Sequence, residues 1–236
     1  MPDETEIKLK IRDLKALQRI LKRLGAKPVG SAMGRVHEEN LIFDTPEGGL
    51  AKHGQLLRLR TETVAAPPPK KSTKTKRSPK RNPPATAKSP TPTRQILTFK
   101  RPTAQQAAAP TSRYASFGSH KVRDEIEAQV ADAGNLVKIF EGLGMRGWFR
   151  YEKYRTTYRL PATKSWARGL LIEVDETPIG TFVELEGPPA AIDRAATELG
   201  YSKRDYILTS YLALYAEDCR RKGQQPQNML FPDKFR

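Results

Sequence analysis

Like charges recur two residues apart along this chain. Glu4 and Glu6, Lys8 and Lys10, Arg58 and Arg60, Glu125 and Glu127, Lys153 and Arg155, and Glu184 and Glu186 each flank one intervening residue. A period of two is the side-chain period of a β-strand, so both members of each pair share a face. The opposite faces carry Ile7 and Leu9, Leu57 and Leu59, and Val183 and Leu185. An ordinary antiparallel sheet also has a polar face, but it mixes charges with Thr, Ser, Asn and Gln. Doublets of one sign in several separate segments point instead to charged faces turned inward. They would line a barrel wide enough to hold them, with the aliphatic faces packed under helices.

Eight segments read as strands, roughly 3–11, 36–44, 55–63, 95–101, 120–129, 148–159, 169–176 and 181–186. Between them lie four helical patterns. One follows Asp13, carries Leu14, Leu17, Ile20, Leu21 and Leu24, and stops at Gly25; a second starts at Asp132 or Asn135. A third follows Pro188-Pro189, and the fourth runs from Asp205 to about Lys222. The expected fold is α+β: a closed eight-stranded antiparallel β-barrel with flanking helices, closure removing the exposed edges. A single domain over 1–222 accounts for this pattern, followed by a tail at 223–236.

The chain has a net charge of +16, which invites a nucleic-acid reading. The charge is unevenly spread. Residues 64–94 hold nine Lys and Arg and no acid, in a setting of Pro, Ser, Thr and Ala. Such a segment buries too little apolar surface to offset its ordering entropy and is expected to be a disordered loop inserted between two strands. Two roles suit it: a solvated spacer, or a non-specific polyanion contact that weakens with salt. A second loop is expected over 102–118. No apolar run reaches the ~18 residues of a membrane span. The acidic, polar start does not read as a secretory signal, and the single cysteine, Cys219, fits a reducing compartment, so a cytoplasmic location is expected. Three histidines and one cysteine argue against a zinc site; a metal here would be a hard cation on carboxylate oxygens.

A lumen carrying both signs has a definite chemical use. Clustered carboxylates repel one another unless a divalent cation lies among them, and clustered Lys and Arg call for polyanionic oxygens. A metal–triphosphate complex satisfies both sets at once.

At these residues the sequence resembles the CYTH superfamily, the triphosphate tunnel metalloenzymes. The E-x-E-x-K opening is Glu4, Glu6 and Lys8; I-F-D-T-P spans Ile42 to Pro46; L-R-L-R spans Leu57 to Arg60. L-T-x-K ends at Lys100, R-x-E-x-E is Arg123, Glu125 and Glu127, and K-x-R is Lys153 and Arg155. The late run is Asp175, Gly180, Phe182, Glu184 and Glu186, and a final S-Y is Ser210 and Tyr211. The resemblance implies a tunnel that binds triphosphate with Mg²⁺ or Mn²⁺. It implies metal ligation by Glu4, Glu6, Glu125, Glu127, Asp175, Glu184 and Glu186. Lys8, Lys10, Arg58, Arg60, Lys100, Arg123, Lys153 and Arg155 would grip the phosphates, with Lys8, Glu125, Glu127 and Asp175 in the chemistry. Family members hydrolyse triphosphates (inorganic triphosphate, thiamine triphosphate, nucleoside triphosphates) or, as class IV adenylate cyclases, convert ATP to cAMP and pyrophosphate.

The hydrolase is the first reading and the cyclase the second. A non-catalytic polyphosphate- or RNA-binding module is a third. The acids disfavour it, because a pure anion binder gains nothing by repelling its ligand. The expected partner is a small-molecule triphosphate, on a monomer or homodimer. Glu173 shares the inward register but lies outside these motifs. Asp44 reads as a turn-former. His37, His53 and His120 read as solvent-facing or structural, Ser210 and Tyr211 as packing contacts, and Cys219 as a buried or half-buried helix residue.

Overall fold

The computed structural model describes residues 3–30, 34–64, 93–104 and 119–232. Most of the expected basic insertion, and most of the second loop, fall outside these residues. The strands are β1 (Asp3–Ile11), β2 (Lys27–Pro28), β3 (Arg35–Asp44), β4 (Leu56–Val64), β5 (Thr93–Arg101), β6 (Lys121–Gln129), β7 (Arg146–Arg159), β8 (Leu171–Thr177) and β9 (Gly180–Glu186). The helices are α1 (Leu14–Leu24), α2 (Gly49–Lys52), α3 (Ala133–Gly142), α4 (Pro189–Glu198) and α5 (Tyr211–Arg221).

The sheet runs β2-β7-β3-β4-β5-β6-β1-β9-β8, and β8 pairs back onto β7. Eight strands therefore close into an antiparallel barrel, with the two-residue β2 added on the rim of β7. The barrel is the expected one; β2 and the one-turn α2 are additions that the sequence pattern did not announce. Residues expected in the basic insertion prolong the β4–β5 hairpin instead, with Thr63 opposite Thr93 and Glu62 opposite Arg94.

Outside the wall, the aliphatic faces of β1, β8 and β9 pack under two helices. Ile7, Leu9, Ile172, Val183 and Leu185 meet Leu17 and Leu21 of α1 and Ile192, Ala195 and Ala196 of α4 in one buried cluster. Local chemistry starts and stops these helices. The Asp13 carboxylate accepts from Lys15 and Ala16 N–H at the head of α1, and Gly25 closes it in the left-handed region at φ 74°. Asp132 rather than Asn135 caps α3, accepting from the Asn135 N–H at 2.9 Å. Asp44 is the turn-former expected of it: its carboxylate takes the N–H groups of Thr45, Leu50 and Ala51 at 2.7–3.0 Å.

The last helix differs from expectation. It begins at Tyr211 with Ser210 as its N-cap, not at Asp205. Pairing of β1 with β6 ends at Glu6–Lys121, which leaves the Lys8 backbone without a partner on that side. Ile207 fills the gap, exchanging two backbone hydrogen bonds with Lys8 at 3.0 and 2.9 Å. An extended residue is needed there, so the helix cannot start earlier. Residues beyond Lys222 also return to the wall: Met229 bridges to Tyr151 and is buried, and the Phe231 ring packs at a tilt against Tyr154. Cys219 is buried in α5 and free.

Candidate active site

The charge doublets meet inside the barrel. Ion pairs join strands that are not neighbours in the wall, which places those side chains across the lumen. Lys100 on β5 lies 2.6 Å from Glu4 on β1, and Lys153 on β7 lies 3.9 Å from Glu184 on β9. On the neighbouring strands β3 and β7, Glu38 lies 3.4 Å from Lys153 and 3.7 Å from Arg155. The sequence produces this locally through alternation: Arg58, Arg60 and Glu62 of β4, Lys121, Arg123, Glu125 and Glu127 of β6, Lys153 and Arg155 of β7, and Glu184 and Glu186 of β9 stand two residues apart, and the closed sheet turns one face inward.

The deepest part centres on Asp175, which is fully buried. Its carboxylate accepts from Lys153 at 3.0 Å, from Arg155 through two bonds at 2.7 and 2.6 Å, and from the Tyr211 hydroxyl at 2.7 Å. Arg155 also pairs with Glu173 and Glu184. Lys8, 3% exposed, lies 3.0 Å from Glu184 and 3.3 Å from Glu6. Lys121 pairs with Glu6 as well. Towards α5 the lumen becomes apolar, where Ile42, Phe149 and Phe182 pack with Tyr211.

Burial and partners set the proton affinities. Burial alone would raise Glu6 and Glu184. The cations outweigh it, Lys121 and Lys8 at Glu6 and Lys8 and Arg155 at Glu184, and hold both below the usual carboxylate range. Burial would lower Lys8, but Glu184 and Glu6 keep it raised and charged. Three acids go the other way. Burial pushes Glu125 up to about 7, with Lys100 opposing and the Glu4 carboxylate adding. Burial pushes Glu186 up to about 8, with Glu173 and Glu4 adding. Burial also raises Glu173, against the pull of Arg155.

Among the residues singled out from sequence, Glu4, Glu6, Lys8, Arg58, Arg60, Lys100, Glu125, Lys153, Arg155, Asp175 and Glu184 join this network. Glu127 lies at its edge, 40% exposed, accepting from the Thr98 hydroxyl at 2.9 Å. Arg123 donates to the Gly54 carbonyl at 2.8 Å. Lys10 is exposed with its ammonium 5.9 Å from the Phe182 ring, and no ion pair among the described residues reaches it. Glu173 belongs to the network through Arg155.

Tyr211, read as a packing residue, reaches the centre of the lumen through its hydroxyl. Sequence reasoning missed Glu38, Asn40, Lys121 and Tyr151. Lys121 was legible, two residues before Arg123 in one alternating run, and Tyr151 stands two residues before Lys153. Glu38 and Asn40 were hidden because β3 alternates acid and amide rather than doubling one charge. The histidines are structural: His37 packs at a tilt against Tyr154, His53 Nδ1 donates to the Gly49 carbonyl at 2.7 Å, and buried His120 meets Asp193 at 2.8 Å.

The carboxylate oxygens suit a hard divalent cation, and the upward displacement of Glu125 and Glu186 marks places where added positive charge would be stabilising. As placed, no three acids among the described residues converge into a ready metal-binding group, since most are engaged by Lys or Arg. A metal would draw its ligands away from those partners.

The CYTH domain profile matches residues 3–211. The chain belongs to the CYTH family. That family includes triphosphatases and class IV adenylate cyclases. No curated protein sequence matches the chain. Among solved structures, a protein of Pyrococcus horikoshii superposes with a TM-score of 0.59 at 18% identity, covering 91% of this chain and 99% of that one. A candidate adenylate cyclase of Vibrio parahaemolyticus gives 0.58 at 15% identity, covering 88% and 94%. A candidate adenylyl cyclase of Hippeastrum, whose dominant activity is that of a triphosphatase, gives 0.51 at 20% identity, covering 94% and 97%. At these identities the likeness concerns the CYTH fold. Among the described residues no helix is long and apolar enough to cross a membrane.

Proposed function

We propose that this CYTH protein is a divalent-metal-dependent hydrolase that cleaves the terminal phosphoanhydride of a triphosphate held in the barrel. The observation that carries this reading is the interleaving of buried Lys and Arg with buried carboxylates on one lumen face. Lys8, Arg58 and Lys153 are each under a tenth exposed, as are Glu6, Asp175 and Glu184. A triphosphate alone would meet the cations and be repelled by the acids; a metal complex meets both. Mg²⁺ or Mn²⁺ held by Glu4, Glu6, Glu184 and Glu186 would neutralise phosphate charge and acidify a water.

The side chains then divide the work. Lys8, Arg58, Lys100, Lys153 and Arg155 bind phosphate oxygens, and Arg155 gives a planar fork where Lys gives a point charge. Glu125, pushed up to about 7, is poised to take the proton of the attacking water at neutral pH. The water oxygen bonds to the terminal phosphorus as the bridging P–O bond breaks, giving orthophosphate and a diphosphate. The deciding experiment supplies tripolyphosphate, thiamine triphosphate and nucleoside triphosphates with Mg²⁺ or Mn²⁺ and identifies the products. Orthophosphate is expected; cAMP and pyrophosphate from ATP would replace the hydrolase by a cyclase.

Two further outcomes follow. The first concerns pH. Glu186 has its folded-state pKa raised from 4.5 to about 8. Stability contributed by keeping it protonated is present below pH 4.5 and is lost as pH rises through about 8. The metal-free melting temperature should fall across that window. Added Mn²⁺ should restore it increasingly as pH rises, because binding displaces the proton. A Mn²⁺ effect independent of pH from 6 to 9 would remove Glu186 from the metal set.

The second concerns the basic insertion. The β4–β5 hairpin is paired up to Thr63–Thr93. Replacing residues 65–92 by a short Gly/Ser turn should therefore leave the melting temperature and tripolyphosphate turnover within about two-fold of the parent. Any salt-sensitive RNA or polyphosphate binding should go with the insertion. Turnover lost on deletion would favour the binding-module reading of this segment.

A further inference from the structure

Seven buried side-chain atoms among the described residues lack a hydrogen-bond partner, and five of them occur on one patch of the barrel wall. They are both amide atoms of Asn40, Oε2 of Glu38, and Nε of Arg58 and of Arg60. Asn40 is 3% exposed and sits between Glu38 and Ile42 on the inward face of β3. Its register partners are Arg60 on β4 and Tyr151 on β7. The Tyr151 hydroxyl accepts from Arg58 Nη1 at 3.2 Å, so the guanidinium is fixed while its Nε stays unused. The Arg60 Nε to Glu38 Oε2 separation is 3.8 Å, an ion pair too long for a hydrogen bond.

A buried amide with neither donor nor acceptor used destabilises the protein that carries it. A leucine or methionine would fill the same space without that cost. The orphaned atoms also have a definite chemistry. Two guanidinium Nε–H groups and the Asn40 Nδ2–H₂ are donors. Asn40 Oδ1 and Glu38 Oε2 are acceptors, the latter facing the charges of Lys153 at 3.4 Å and Arg60 at 3.8 Å. A fully ionised phosphate offers acceptors only, so it can satisfy the donors and must leave Oδ1 unmatched. Oδ1 requires an O–H donor beside the phosphate, and in hydrolysis the group that meets this description is the attacking water.

We propose that Asn40 is a substrate-contacting residue that binds a terminal-phosphate oxygen through Nδ2 and orients the attacking water through Oδ1. This role rests on the hydrolase reading above. Arg58 and Arg60 complete the subsite, their Nε–H groups taking further oxygens of the same phosphate. Glu38 is a positioning residue, holding Lys153 at 3.4 Å and Arg60 at 3.8 Å on either side.

The test compares Asn40→Leu and Asn40→Asp with the parent on the full chain, with tripolyphosphate and Mn²⁺. Asn40→Leu keeps the volume and removes the amide. Its ligand-free melting temperature should equal or exceed that of the parent. The melting shift induced by tripolyphosphate should shrink, and kcat should fall roughly 10- to 100-fold, more than KM rises. Asn40→Asp keeps an acceptor but loses the donor and adds charge, so its KM should rise more than that of the leucine variant. An Asn40→Leu protein with parental kcat and parental ligand-induced shift overturns the role. So does one whose ligand-free melting temperature collapses while its folded fraction turns over normally, since the amide would then be structural. A parent protein that neither binds nor hydrolyses any triphosphate in the panel overturns the hydrolase reading itself, a failure visible before any variant is made.

Discussion

Arg155→Met should lose about 3–5 kcal/mol of folding stability at neutral pH, enough to leave a typical domain marginal. Arg155 holds Asp175 through two hydrogen bonds and Glu173 and Glu184 through ion pairs, with Glu38 a more distant fourth acid at 3.7 Å. Asp175 is fully buried and the other three nearly so. Removing one partner of a buried pair leaves charge without compensation, which costs far more than the pair contributes relative to an apolar replacement of both. The pH dependence gives the sign. Arg155 lowers the proton affinity of Glu173 and Glu184, so without it these two carboxyls take protons more readily in the folded state. The variant then keeps its stability in acid and loses it as pH climbs above the ordinary carboxylate range, near 4. Urea midpoints at pH 4.5 and 7.5 measure the difference. Arg155→Lys should recover part of the stability but little turnover, because it cannot make the two-pronged contact to Asp175. A variant within about 1 kcal/mol of the parent at pH 7.5 would mean that Lys153 and Tyr211 suffice to hold Asp175.

Lys8→Met should lower kcat/KM for tripolyphosphate by roughly 10²- to 10³-fold, the scale of removing one preorganised charge aimed at a reacting phosphate. Lys8 is 3% exposed, held between Glu6 and Glu184, and fixed at its backbone by Ile207. It is therefore preorganised and costs nothing to orient when substrate arrives. Methionine preserves the length and the apolar stem, so the loss reports the ammonium itself. Glu6 retains Lys121 and Glu184 retains Arg155, which limits the damage to the fold. Steady-state kinetics on a variant shown to be folded by its melting curve measure this. Turnover within three-fold of the parent would remove Lys8 from the phosphate grip.

Much of this site was legible in the sequence because strand alternation is a short-range code. Glu184 and Glu186 flank Leu185, and in the structure both acids share the wall that faces Lys8 while Leu185 is buried under α4. The same holds for Lys153 and Arg155. What resisted reading had long-range causes. Lys10 has the right register, yet the lumen turns apolar at Phe182, opposite it in the sheet, and its ammonium stays exposed. Tyr211 looked like helix packing. Its hydroxyl enters the lumen because Ile207 pairs with Lys8 and delays the start of α5 until Tyr211. Asn40 gave no signal, since a lone amide in a strand is unremarkable until its neighbours leave it without partners.

The sequence by itself determined the strand faces, the closed antiparallel class of the barrel and the identity of most charges inside it. These follow from the two-residue period, which each strand carries independently of the others. The tertiary structure alone decided which charges meet, which are left over, and where each proton is held. Those depend on the registers between strands and on burial, and both are set only when β8 closes onto β7 and brings residues distant in the chain within a few ångströms.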